Sequence, residues 1–176
     1  MADYRENWTV DDWKVELDEA IYQIQEYMSI YNRMSRESYP GIFLMPRGMH
    51  TIEAVVIHPG INATSLSSVM GFSKGMLSKL IRELERRGMV TAYKKKGNLK
   101  EVHYRATPLG RRIYESHVQF HKMPGNGVEV YEHFYALPNE QKLAIIDFLY
   151  QYGDMYKSFA EREREGTLFP CVPVEE

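Results

Sequence analysis

The chain has 176 residues, which fits one domain with a core of its own, and its formal net charge is −2. Its single cysteine, Cys171, excludes an intrachain disulfide and a cysteine-rich zinc site. The sequence has neither a run of eighteen apolar residues nor a basic and then apolar leader. We therefore expect no membrane span, no secretory signal and a cytoplasmic protein.

The first predicted helix begins after a capping residue, Thr9, and runs to about residue 36. Asp11 and Asp12 in its first turn suit the positive end of the helix dipole. Apolar residues repeat at helical spacing along it, at Val10, Trp13, Leu17, Ile21, Ile24, Met28 and Tyr31. So long a stripe favours a subunit interface, with an ordinary core helix as the alternative.

A second helix follows the interruption at Ser38-Tyr39-Pro40-Gly41. Pro46 suits its first position, and His58-Pro59-Gly60 ends it after about Ile57. We expect Ile61, directly behind this helix, to add a very short strand to a small sheet further along the chain.

Two closely spaced helices form the centre of the sequence, over about residues 62–70 and 73–88. Gly71-Phe72 supplies the tight turn between them, and Ser73 caps the second one. Leu77, Leu80, Ile81 and Leu84 of the second helix form an inward stripe, while its basic residues lie largely on the other side. The pair is typical of a helix-turn-helix, although amphipathic helices of this length also occur in proteins that bind no DNA.

A basic hairpin is predicted directly behind the second helix. Residues 89–93 and 102–107 are β-prone, and residues 94–100 form a turn with four lysines. Residues 73–112 hold 12 Lys or Arg against three Glu, a net charge of +9, which leaves −11 for the rest of the chain. Such segregation indicates a surface for a polyanion on an otherwise acidic protein.

The C-terminal third is predicted to be helical with one break. A helix opens at Pro108, residues 123–127 interrupt it with one proline and two glycines, and a last helix opens near Pro138. Residues 164–176 form a tail that cannot be helical throughout.

Four segments resemble the multiple-antibiotic-resistance regulator (MarR) family in order and spacing. They are His58-Pro59-Gly60-Ile61, Gly71-Phe72-Ser73-Lys74, Leu84-Glu85-Arg86-Arg87-Gly88-Met89-Val90 and Ala106-Thr107-Pro108-Leu109-Gly110. The resemblance implies a single, mainly α domain over residues 1–176, with a winged helix-turn-helix at about 46–107 and a small antiparallel wing sheet. It also implies dimerisation helices at about 9–36 and 108–163.

The implied function is sequence-specific DNA binding by a homodimeric repressor, which recognises a palindromic operator and is released by a small aromatic or phenolic effector. The expected DNA contacts are Ser73, Lys74, Gly75, Met76, Ser78, Lys79 and Arg82 on the helix, with Lys94, Lys95, Lys96, Asn98 and Lys100 on the wing. The family's wing tip usually carries Asp, one residue and then Arg, whereas this chain has Asn98-Leu99-Lys100. We therefore expect the wing lysines to contact mainly phosphates.

Two kinds of regulatory ligand are open. Tyr31, Arg47, His50 and His117 are the candidates for an effector pocket, in a region rich in tyrosine and methionine. His117 and His121 lie four residues apart on one helix and, with His50, could instead hold zinc, as in zinc-sensing members of the family. Plain packing in the core is the third interpretation of these histidines.

No catalytic constellation stands out, so we expect no enzyme and no resident cofactor. The sequence lacks a phosphate-cradling glycine loop, a His-Glu-x-x-His motif and a Gly-x-Ser-x-Gly motif. The remaining alternative is a winged-helix module for protein interaction, which would show no salt-sensitive binding to duplex DNA.

Overall fold

The computed structural model describes residues 7–167. The chain divides into two compact units at Phe120 and His121. The elements of the first unit are α1 (Val10–Tyr31), β1 (Arg36–Tyr39), β2 (Ile42–Leu44), α2 (Pro46–Ile57), α3 (Ala63–Met70), α4 (Lys74–Arg86), β3 (Val90–Lys95) and β4 (Asn98–Ala106), followed by α5 (Pro108–His121). The second unit contains α6 (Val128–Ala136) and α7 (Asn139–Glu165).

Helix α1 begins as predicted but ends earlier. The Thr9 hydroxyl accepts a hydrogen bond from the Asp12 amide, and the Asp12 carboxylate accepts one from the Thr9 amide, which completes a capping box. The prediction that the helix continues to residue 36 is wrong, because it ends at Tyr31 and Arg36 opens a strand. Apolar periodicity marks the helix face but does not locate its end.

Strands β1 and β2 form an antiparallel hairpin where the sequence predicts only an interruption between two helices. Arg36 lies opposite Leu44, and Glu37 lies opposite Phe43. Gly41 allows the turn because its φ is 74°. The strands have only four and three residues, too few for their alternation to be recognised.

The helix-turn-helix is confirmed. Asn62 caps α3, Gly71 closes it with a φ of 63°, and Ser73 caps α4. The core lies between α2, α3, α4, the wing strands and the start of α5, and its fully buried members include Met49, Ile52, Leu66, Leu84 and Ile113. This core fixes α4 by its inner face and leaves the other face open.

The wing is an antiparallel pair of strands that are longer than predicted. Lys95 pairs with Asn98, so the turn itself is only Lys96-Gly97, with a φ of 90° at the glycine. The lysines of the predicted turn are thus largely strand residues with exposed side chains. The Ile61 carbonyl accepts a hydrogen bond from the Tyr104 amide at 2.9 Å, and Asn62 bridges to His103, which agrees with the short strand expected there.

The C-terminal part also follows the prediction, with one added helix. Helix α5 opens at Pro108, the chain turns over residues 122–127, and α7 starts directly after Pro138. Helix α6 was not predicted as a separate element. Residues 168–176, and with them Cys171 and most of the predicted tail, lie outside the described residues. No helix within residues 7–167 is long and apolar enough to cross a membrane.

Candidate nucleic-acid interface and ligand site

Helix α4 presents a polar and basic surface because its apolar residues are held in the core. Leu77, Ile81 and Leu84 are buried on the inner side. The seven residues predicted to contact DNA from this helix are all exposed: Ser73, Lys74, Gly75, Met76, Ser78, Lys79 and Arg82. One rigid element thus displays cations, hydroxyls and an exposed backbone together.

Two residues of this surface, Gly75 and Arg82, bear on how closely a ligand can approach the helix backbone and on which groups are free to bind it. A Cβ added at Gly75 would meet nothing within 4 Å, so protein packing does not require glycine there. Nε of Arg82 donates to the Ser78 carbonyl at 3.1 Å, which leaves the rest of its guanidinium at the surface.

The wing is fixed to α4 by a residue that the sequence analysis missed. The Glu85 carboxylate accepts a hydrogen bond from the Ala92 amide at 2.8 Å. Such a charge-assisted bond ties strand β3 to the helix and so sets where the wing lies relative to it. Glu85 follows the buried Ile81 by four positions, so both lie on the same side of α4. This spacing was the signal in the sequence that Glu85 faces the protein.

The wing tip is organised by Asn98 in place of the family's ion pair. Its Oδ1 accepts hydrogen bonds from the amides of Lys100 and Glu101, at 3.2 and 3.3 Å, and its Nδ2 donates to the Glu101 carboxylate at 3.1 Å. This side chain thus stabilises the turn without a charge of its own. Lys94, Lys95, Lys96, Asn98 and Lys100 are all exposed.

A cleft beside the helix-turn-helix joins α3, α4 and strand β4. It has a volume of about 220 Å³ and is lined by Ala63, Thr64, Lys74, Leu77, Ser78 and Tyr104. Burial, with the negative charge of Glu85 as a smaller cause, raises the pKa of the Tyr104 phenol. The phenol is therefore neutral at physiological pH.

A second polar cluster lies on α2 and α5. The rings of His50 and His117 pack edge to face with 5.2 Å between their centroids, and His117 is 5% exposed. Glu53 accepts from His50 Nδ1 at 3.0 Å. The possible ligand atoms of these three side chains all lie within 4.8 Å of one another. Glu53 was not predicted, although it follows His50 by three residues on one helix.

Arg36 of β1 adds a cation to this cluster. Its Nη2 lies 3.4 Å from Nδ1 of His117, and its guanidinium carbon lies 4.3 Å from the centroid of the Phe120 ring and 5.4 Å from that of Tyr31. An arginine can only donate, so this contact makes Nδ1 the acceptor and places the proton of a neutral His117 on Nε2.

The other predicted ligand residues lie in different surroundings. Arg47 is exposed and lines an open cleft of about 660 Å³ with Gln25, Met28, Ser29, Asn32, Arg33 and Met45. Nδ1 of His121 lies 3.2 Å from the Asn126 carbonyl oxygen, and its ring faces Tyr131 edge to face. Of the residues predicted for the effector pocket or the zinc site, the structure therefore brings His50 and His117 together. Tyr31 is connected to them by its contact with Arg36.

Comparison with known proteins gives consistent matches. The family model "MarR family" matches residues 50–102, which extend from α2 into β4. The HTH-type transcriptional regulator PchR of Bacillus subtilis (strain 168) is 28% identical over 133 residues, which are 74% of this chain and 75% of PchR.

Solved structures share the fold. Streptococcus pneumoniae FabT in complex with DNA is 18% identical, with a TM-score of 0.55 over 86% of this chain and 99% of that chain. Lactococcus lactis ZitR, a zinc-responsive MarR family member, is 11% identical, with a TM-score of 0.57 over 82% of this chain and 99% of that chain. At these identities the structures establish the winged-helix architecture alone.

Proposed function

We propose that this chain, a DNA-binding transcriptional regulator of the MarR family, is a homodimeric repressor that a small effector releases from a palindromic operator. The observation that carries the DNA-binding part is the exposed basic face of α4 with the lysine wing beside it. Helix α4 enters the major groove and the wing lies along the flanking backbone.

Dimer formation is supported by large apolar side chains that the single chain leaves exposed. Counting only residues 7–167, no residue of α1, α6 or α7 is buried. Trp13, Ile24 and Met28 of α1 are each more than half exposed, and Leu149 of α7 is too. A second copy that covers these surfaces also places two copies of α4 on one duplex, which matches a palindromic operator.

An aromatic acid or phenol is the effector that the His50 and His117 cluster suits best. Arg36 offers a guanidinium, which binds a carboxylate in a bidentate manner, and Phe120 and Tyr31 offer ring faces beside it. The histidines can share hydrogen bonds with a phenolic oxygen. Release from DNA requires the ligand to bind the released conformation more tightly than the DNA-bound one, by roughly 1–3 kcal/mol.

Zinc is the second candidate ligand, because His50, Glu53 and His117 form a nitrogen and oxygen donor set of the type that zinc accepts. The contact of Arg36 with His117 Nδ1 disfavours zinc. A neutral histidine that binds a metal through Nε2 carries its proton on Nδ1, and a protonated Nδ1 cannot accept a hydrogen bond from Arg36. Metal binding therefore requires Arg36 to withdraw, whereas a carboxylate makes direct use of it.

Direct DNA contact is tested on the basic face of α4. Lys79→Ala and Arg82→Ala are each expected to lower affinity for the operator by about 1–3 kcal/mol, because each removes a side chain that binds in the groove. Lys157→Ala on α7 is the matched control and should leave affinity unchanged. Fluorescence anisotropy with labelled duplex gives the affinities, and unchanged binding in both α4 variants contradicts the assignment.

Two substitutions separate the two effector classes. Arg36→Gln should remove a shift in melting temperature caused by salicylate, used as an aromatic carboxylate probe, and should keep zinc binding or make it tighter, because Arg36 no longer has to withdraw. Glu53→Gln should weaken zinc binding, measured by metal content and by the effect of a chelator on DNA affinity, and should leave the salicylate shift in place. If neither probe changes melting temperature or DNA affinity, the histidines serve packing and the effector proposal is wrong.

A further inference from the structure

The hairpin of β1 and β2 contacts the ligand cluster at its first residue. Arg36 places its guanidinium beside His117 and over the Phe120 ring, and both of these residues belong to α5. Any ligand that engages Arg36 or His117 must alter this contact, because the two groups are only 3.4 Å apart.

The same hairpin contacts the end of α4. Arg87, the C-cap residue of α4, donates from Nη2 to the Phe43 carbonyl at 2.8 Å. Its other terminal nitrogen lies 3.5 Å from the Glu83 carboxylate, one turn earlier on α4. The guanidinium therefore joins the last turn of the recognition helix to β2 by a charge-assisted hydrogen bond.

The two contacts are close together on one small hairpin. Arg36 pairs with Leu44 across the hairpin, next to the pair of Glu37 and Phe43. Leu44 is 3% exposed. Gly48 of α2 lies between Leu44 and Leu84 of α4, because a Cβ added at Gly48 would lie 3.6 Å from a methyl carbon of Leu44 and 3.9 Å from one of Leu84. A shift of the hairpin is thus transmitted to α4 through both a hydrogen bond and core packing.

We propose that this hairpin, residues 36–44, couples the ligand cluster to the recognition helix, with Arg36 as the sensing residue and Arg87 as a positioning residue for α4. The inference rests on the proposed function, in which a ligand binds beside His117 and α4 reads DNA. Ligand binding recruits Arg36, the hairpin shifts, and the Phe43 carbonyl moves relative to Arg87. The last turn of α4 then moves and carries the helix with it, so that residues 73–82 no longer fit the groove.

Amide hydrogen exchange of the DNA-free protein tests this coupling without knowledge of the effector. The amides of Arg87, Gly88 and Met89 are bonded within the C-terminal turn of α4, and the Tyr104 amide in the wing serves as an internal reference for global stability. Arg36→Ala should raise exchange at residues 87–89 about threefold relative to Tyr104. Arg33→Ala is the matched control, because the Arg33 guanidinium bonds to Ser29 of α1. This variant should change the exchange rate neither at residues 87–89 nor at Tyr104.

A double-mutant cycle shows whether the effect passes through Arg87. In an Arg87→Ala background, Arg36→Ala should give a clearly smaller further increase at residues 87–89, because the hydrogen bond to Phe43 is already broken and only the core packing remains. Additive increases, or equal rates in the Arg36→Ala variant and the wild type, overturn the coupling. Arg36→Lys and Arg87→Lys replace the alanine variants if circular dichroism shows that these do not fold.

Wild-type affinity for duplex DNA separates the two proposals. If the wild type binds no duplex DNA but the exchange rates are non-additive, the coupling stands and the proposed function is wrong. If the wild type binds DNA but the exchange rates are additive, the proposed function stands and the coupling is wrong.

Discussion

Gly110 is the residue at which α5 comes closest to the start of the wing. A Cβ added there would lie 2.2 Å from the Met89 carbonyl oxygen, which is a backbone atom and cannot rotate away. The same carbonyl accepts a hydrogen bond from the Thr107 amide at 3.1 Å, and the Thr107 hydroxyl, which donates to the Gly88 carbonyl at 2.7 Å, lies 3.1 Å from it. The family-like Gly110 is thus required by close packing between a helix and a strand.

Gly110→Ala is therefore expected to lower the free energy of unfolding by about 1–3 kcal/mol, measured by urea denaturation. Gly153→Ala in α7 is the matched control, because an added Cβ there meets nothing within 4 Å. That variant should be more stable by about 0.5–1 kcal/mol, since alanine favours a helix. Equal stability of the two variants contradicts the close-packing argument.

Gly75 differs from Gly110 because its surroundings within the protein are open. Gly75→Leu should leave the melting temperature unchanged or higher, and should weaken DNA binding because the side chain holds the duplex away from the helix. Calorimetry measures the melting temperature, and fluorescence anisotropy measures the DNA affinity. Normal DNA affinity in Gly75→Leu indicates that this part of α4 does not approach the duplex.

At the scale of elements, the wing and the recognition helix are expected to play different roles. Asn98 stabilises the wing tip through backbone amides, and the lysines beside it are exposed. Lysine is a compact point charge that suits phosphates, whereas base recognition relies more on planar, bidentate groups. The wing should thus contribute affinity, and α4 should contribute sequence preference.

Replacing Lys94, Lys95 and Lys96 together by alanine tests this division. We expect similar reductions in affinity for operator and random DNA, and a salt dependence that is weaker by up to about 0.9 in slope for each phosphate that the wing no longer neutralises. Sequence preference should remain. A selective loss of operator binding would instead identify the wing as a reader of bases.

At the scale of the whole molecule, association of two chains should decide DNA affinity. Ile24→Asp in α1 and Leu149→Asp in α7 place a charge on side chains that are 55% and 58% exposed in the single chain. Each is expected to produce monomers in sedimentation velocity and to reduce operator affinity at least tenfold, because only one half-site is then held. Glu26→Gln, on the opposite side of α1, should remain dimeric, and a dimeric Ile24→Asp variant argues against α1 as the interface.

The sequence by itself determined the elements whose signals are local. Thr9 and Ser73 cap helices as predicted, Gly71 provides the left-handed turn, and the stripe of α4 sets which face is buried. These features depend on residues three or four positions apart, and their physical causes are hydrogen-bond capping and helical periodicity.

Only the tertiary structure decided which distant residues form the ligand cluster and its connection to α4. The contact of Arg36 with His117 joins residues 81 positions apart, and that of Arg87 with Phe43 spans 44 positions. Arg36 carried no sequence signal of a site, and the three-residue spacing of Glu53 from His50 is more often that of a solvated helix surface. Chain topology and core packing bring these groups together, and no local pattern encodes that arrangement.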